Sequence, residues 1–190
     1  MAVLQSAGAR YRASSAVCAD FTQELNNPLL RETHTGRGRI CQKQPNLFMM
    51  RFSDPAGDAL VADGQAFWRY TPSTDPKAVI QLPLDRVGAI DPYREFLQDT
   101  SRKYDARLNG QETIAGSAAH RIVLVPKQPA SYREAELWID ARSNLLRRVE
   151  LREENGVVRR ISLSNIALDA PLPADAFIFK QPPGTQIIRP

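Results

Sequence analysis

The chain has 190 residues, of which 43% are apolar and 24% charged, a length and composition that suit one globular domain with a sizeable core and argue against a disordered chain. No apolar run is long enough for a transmembrane helix. The 25 basic and 21 acidic residues leave a net charge of +4, and because the basic residues are interspersed instead of blocked, nucleic acid is not expected as a partner.

Residues 2–13 place Val3, Leu4, Ala7 and Tyr11 at helical spacing and predict a short amphipathic helix. No charged n-region or apolar h-region opens the chain, so either a signal peptide has been removed or the protein is cytosolic. Alternation then takes over. Strands predicted at 16–25 and 33–42 form a hairpin whose tip falls near Leu29 and Leu30, setting Cys18 about opposite Cys41. The two sulfurs are either a cross-strand disulfide, which implies an oxidising compartment, or a pair of buried thiols. Gly36 and Gly38 read as a bend or bulge in the second strand.

Further strands are predicted at 47–52, 59–62 and 66–71, with an Asp63-Gly64 turn joining the last two, and at 78–82. Asp91 as N-cap and Pro92 at the first helical position begin a second helix. The remainder is a meander with strands at 104–109, 113–114, 119–125, 134–140, 145–153 and 157–166. Turns at Asn109-Gly110, Ala115-Gly116, 142–144 and Asn155-Gly156 separate them. So many adjacent strands must twist and curl into a sandwich or barrel, leaving two short helices to cover an opening.

No catalytic constellation emerges. His34 and His120 lie in strand-like segments without neighbours at metal-ligand spacing, so no metal, cofactor or enzymatic role is expected. Gly36-Arg37-Gly38 has no following helix to hold a phosphate. Glu134 and Glu136 read as a solvent-facing row, as do the arginine pairs Arg147-Arg148 and Arg159-Arg160. What remains is apolar. The strand containing Phe48, Met50 and Phe52, the strand containing Trp68 and Tyr70, and the helix containing Tyr93, Phe96 and Leu97 form either core or an adaptable pocket for an apolar ligand.

Five marks occur in order: FTQ at 21–23, GxG at Gly36 and Gly38, PNLF at 45–48, a DG turn followed by FWRY at 67–70, and an F-x-F-x-x-P-x-G ending at 177–184. Together they resemble the LolA family of periplasmic outer-membrane lipoprotein carriers over nearly the whole chain. The resemblance implies a mainly β fold: an incomplete, strongly curved antiparallel β-barrel, LolA/LolB-like, with short helices as a lid over a hydrophobic cavity. It implies a single carrier domain over residues 1–190, working in the periplasm as a monomer. Its cargo would be lipoprotein acyl chains, received from an inner-membrane ABC release complex and passed to an outer-membrane acceptor without covalent chemistry.

Carried over by motif, Phe48 is expected near the cavity mouth, with Met50, Phe52 and Trp68 lining or bordering it; the apolar pattern of strand and helix adds Tyr70, Tyr93, Phe96 and Leu97 to the expected lining. The family carries Arg before the motif proline as a lid latch; here Gln44 takes that place. A carrier or sensor of the same type dedicated to another amphiphile, such as a glycolipid or pigment lipid, is the alternative.

Overall fold

The computed structural model describes residues 2–84 and 91–190. Its elements are α1 (Ala2–Arg12), β1 (Ala16–Asn27), β2 (Glu32–Lys43), β3 (Leu47–Asp54), β4 (Ala56–Asp63), β5 (Ala66–Tyr70), β6 (Ala78–Pro83), α2 (Pro92–Leu97), α3 (Thr100–Lys103), β7 (Tyr104–Ile114), β8 (Ser117–Pro126), β9 (Glu134–Asp140), β10 (Leu146–Arg152), β11 (Val158–Leu168) and β12 (Gln186–Ile188). The fold is mainly β. The 12 strands form one sheet in the order β12-β6-β5-β4-β3-β2-β1-β11-β10-β9-β8-β7, and the two edges do not pair with each other. Hairpin neighbours such as β3 and β4 are antiparallel, whereas β12 runs parallel to β6.

The chain divides into two compact units. The first comprises Met1–Ala13, Thr22–Thr35 and Ala89–Ser164; the second comprises Ser14–Phe21, Gly36–Gly88 and Asn165–Pro190. The divisions fall inside β1, β2 and β11.

In the first unit, α1 buries Leu4, Ala7, Gly8 and Tyr11; of the predicted stripe, Val3 is only half-buried. The Tyr11 hydroxyl accepts a hydrogen bond from the Leu146 backbone N–H at 2.9 Å, which ties the helix to β10. A Cβ on Gly8 would lie 2.6 Å from the Leu97 carbonyl oxygen, so glycine is what lets α1 approach α2 this closely. Register aligns Ile122, Leu137, Val149 and Ile161 across β8 to β11, and all four are buried.

The opposite face of these strands is polar but not simply solvated. Glu136, expected in a solvent-facing row, is only 5% exposed. Arg121 Nη2 lies 2.9 Å from Glu136 Oε1, and Asn109 Nδ2 donates to the same oxygen at 3.1 Å. Glu150, also buried, accepts two hydrogen bonds from Arg160 and pairs with Arg152. Long arginine stems cover these carboxylates while their guanidinium groups compensate the charge. Trp138 sits in the same ladder between the Arg121 and Arg148 guanidiniums, 5.6 and 5.3 Å from its ring, and donates to Glu112 at 2.8 Å.

In the second unit, Cys18 and Cys41 form a disulfide. Its sulfurs lie in an apolar cluster with Met49, Val61 and Phe177, extended by Leu47, Trp68, Ala170, Leu172, Ala176 and Phe179. The segment after β11 covers this face of β2 to β5, held by Arg51 Nη2 donating to the Ile178 carbonyl at 3.3 Å.

Three elements differ from the sequence expectation. Asn109-Gly110 does not end a strand: β7 runs on to Ile114, and the register shifts between Leu108 and Gln111, so Gly110 at φ 92° serves a bulge. Helix α3 is a single turn, too short for periodicity to signal. Strand β12 exists through its parallel pairing with Ala78, Val79 and Ile80, a long-range contact with no local signature.

Candidate functional site

The apolar residues singled out from sequence do not share one surface. On β3, Phe48, Met50 and Phe52 have the same parity and point to one face of the sheet. Phe48 and Met50 are 3% and 2% exposed, while Phe52 is half-buried. Register extends this face through Ile40, opposite Met50, and through Ala62 to Phe67. Phe21 joins it from β1, its ring edge-on to Phe52 at 4.9 Å.

Phe52 also explains Gly36. A Cβ there would sit 2.9 Å from the Phe52 ring, so the GxG pair leaves room for the aromatic as well as bending the strand. Phe21 and Phe67 were not among the expected lining residues. The two-residue loop is Gly64-Gln65, one position on from the expected Asp63-Gly64 turn, and it sets Ala62 opposite Phe67.

Trp68 and Tyr70 face the other way. Val61 pairs with both Met49 and Trp68, which puts Trp68 in the row of the disulfide cluster. Its indole stacks on Phe179 at 5.2 Å and donates to Asp63 Oδ2 at 2.7 Å, and Tyr70 meets the edge of the same Phe179 ring at 6.5 Å. Both therefore meet the C-terminal segment, on the face of β5 away from Phe48. The physical reason is strand parity: one residue along β5 reverses the side-chain direction.

On the first unit, Tyr93, Phe96 and Leu97 are buried on α2. Asp91 Oδ1 accepts from Tyr93 N at 3.0 Å and from Arg94 N at 3.2 Å, with Pro92 next in line, so the helix begins as its residues predict. Thr100 Oγ1 donates to the Phe96 carbonyl at 2.6 Å, and Lys103 Nζ donates to the Arg94 carbonyl at 3.2 Å. These bonds satisfy carbonyls at the end of a helix too short to stand alone.

The charged pair on α2 is accommodated without disturbing its apolar side. Arg94 is exposed. Glu95 Oε1 accepts from Tyr132 Oη at 2.9 Å and from Tyr104 Oη, the two hydroxyls being 2.6 Å apart, while Lys103 lies 3.7 Å from Oε2. Burial and the adjacent carboxylate hold both tyrosines well above the ordinary phenol range, so they remain donors. Phe96 packs on both rings at 6.0 Å. Tyr11 packs against Tyr93 with ring centroids 4.2 Å apart and the planes tilted by 35°.

A pocket of about 340 Å³ opens beside α1, α3 and the start of β7, with Leu4, Leu97 and Tyr104 next to Arg12, Asp99 and Asp105. Of the expected lining residues only Leu97 borders it. Gln44 is exposed and precedes Pro45 through a cis peptide bond. Among the described residues no group of three His, Cys, Asp or Glu is arranged to hold a metal ion.

The arrangement offers apolar surface on both units. The family described as outer membrane lipoprotein carrier protein LolA matches residues 12–180. An outer-membrane lipoprotein carrier protein of Haemophilus ducreyi is 29% identical over 170 residues, covering 89% of this chain and 76% of that protein. An uncharacterized conserved protein from Thermus thermophilus superposes with a TM-score of 0.64 at 16% identity, over 100% of this chain and 98% of its own. MucB in the Pseudomonas aeruginosa MucA/MucB complex gives a TM-score of 0.55 at 17% identity, over 98% of this chain and 62% of that one. At such identities the structural likeness concerns the fold alone.

Proposed function

Because the chain belongs to the LolA family of outer membrane lipoprotein carrier proteins, we propose that it is a periplasmic carrier of lipoprotein acyl chains, loaded at the inner membrane and unloaded at the outer. The observation that carries this reading is the apolar face of Phe21, Ile40, Phe48, Met50, Phe52 and Phe67, with Phe52 still partly accessible. Burying an acyl chain gains about 0.8 kcal/mol per CH₂, so a face of this kind can hold a chain with no bond made or broken. Met50 adds a side chain that adapts to a flexible ligand.

On this reading Gln44 stands where the family's latch arginine would be. A carboxamide bonds less strongly than a guanidinium, so the lid is held more loosely and cargo leaves more readily. The donor is an inner-membrane ABC release complex, the acceptor an outer-membrane protein, and the carrier works as a monomer.

The test is native mass spectrometry of protein isolated from periplasm, with Phe52→Glu beside wild type. Triacylated lipoprotein should co-purify with wild type, and Phe52→Glu should weaken binding of a fluorescent acyl probe at least tenfold. Trp68→Ala, on the other face, should leave probe binding within twofold while lowering stability by about 3 kcal/mol. A free glycolipid or pigment lipid in place of lipoprotein would overturn the cargo. Loss of probe binding in Trp68→Ala but not in Phe52→Glu would overturn the face.

A further inference from the structure

The tip of the β1–β2 hairpin is unlike the rest of the surface. Leu29 and Leu30 are adjacent and 75% and 64% exposed, the two most exposed large apolar residues among those described. Every residue from Pro28 to Thr35 is exposed, and β2 pairs with β3 only from Arg37 onward. A buried or half-buried leucine needs no explanation beyond the core; two side by side at an exposed turn do.

Two backbone donors at the tip are already satisfied. Asn27 Oδ1 accepts from Leu29 N at 3.1 Å and from Leu30 N at 3.3 Å, and Pro28 has no N–H to satisfy. A turn with its donors closed internally can enter an apolar medium without leaving them unpaired, which is the condition that the acyl region of a bilayer imposes. Arg31 follows directly and is exposed, placing a guanidinium where it would meet lipid phosphate once the leucines are immersed. An exposed two-residue apolar tip with Arg31 beside it, and with Glu32 engaged by His34 at 3.2 Å, thus matches a lipid surface.

We propose that Leu29 and Leu30 dip into the membrane surface, with Arg31 at headgroup level, and seat the protein on the bilayer where cargo is exchanged. The proposal rests on the carrier reading for its purpose but not for its measurement. Two leucines with one cation make a weak, reversible anchor, as a shuttling protein requires.

The experiment is co-sedimentation of the full chain, without cargo, with phosphatidylethanolamine/phosphatidylglycerol vesicles. It compares wild type with the Leu29→Ser/Leu30→Ser double variant, and fluorescent acyl-probe binding and sedimentation velocity are run on both. Wild type should pellet with vesicles and the double variant at least tenfold less, with acyl-probe binding and thermal midpoint unchanged because both residues are at the surface. Equal pelleting of the two proteins, or no vesicle association by wild type, would overturn the proposal. So would a wild-type dimer that the double variant dissociates, since a second copy would then occupy the tip. Loss of acyl-probe binding by both proteins with vesicle association intact would sink the carrier reading and leave the membrane tip standing.

Discussion

Asp91 is an N-cap that works against its own charge. It satisfies two backbone donors of α2, yet burial pushes its carboxyl up to about 6 against an ordinary 3.8. The folded protein therefore binds this proton more tightly than the unfolded chain. The resulting stability is fully present below pH 4 and is lost as pH rises through about 6. Asp91→Asn keeps the accepting oxygen and removes the charge. Chemical denaturation at pH 4 and pH 7 should find the variant close to wild type at the lower pH and more stable by about 2 kcal/mol at the higher. A constant difference across that range would contradict burial as the cause. The cap is legible in the sequence, since Asp before Pro at the start of a periodic run is a local signal. The desolvation is not, just as the cover that Arg121 gives Glu136 is not.

Among elements, the contact of α1 with α2 shows how one residue type sets a packing distance. In an isolated helix Gly8→Ala would be favourable by up to about 1 kcal/mol. Here the added methyl would meet a backbone carbonyl at 2.6 Å, and neither helix can give way without disturbing Tyr11 on Leu146 or Tyr93 beneath it. Gly8→Ala should therefore be net destabilising, by about 2 kcal/mol in urea unfolding; a stabilised variant would mean that the contact yields easily. Strand faces depend on neighbours in the same way. The alternation of Phe48, Met50 and Phe52 was legible on β3 because parity within one strand is local. Whether Trp68 or Phe67 shares their face depends on the register of β3 with β4 and β4 with β5, and the shift between Arg51 and Ser53 makes that register impossible to count from sequence.

For the whole molecule, the disulfide and the open sheet matter most. The Cys18–Cys41 bridge closes a loop with a sequence separation of 23, and restricting the unfolded chain over that length contributes about 3 kcal/mol. Cys18→Ser/Cys41→Ser should lose stability of that order in denaturant, and thiol counting of the native protein without reductant should find none free. Two reactive thiols, or a double variant as stable as wild type, would contradict this. The order of the marks along the chain, the alternation of the strands, the Asp91 cap and the placing of Leu29 and Leu30 at a hairpin tip follow from residue type and spacing alone, because turns, caps and parity are local physics. The family follows from them too, through motifs spread over most of the chain. Tertiary structure alone decided that Trp68 and Tyr70 pack on Phe179 instead of facing with Phe48. It alone decided that Glu136 and Glu150 are partnered below the surface and Glu95 half-buried against two tyrosines, and that β12 pairs with β6. Each of these depends on contacts between residues far apart in sequence, where register and burial, not propensity, choose the partner.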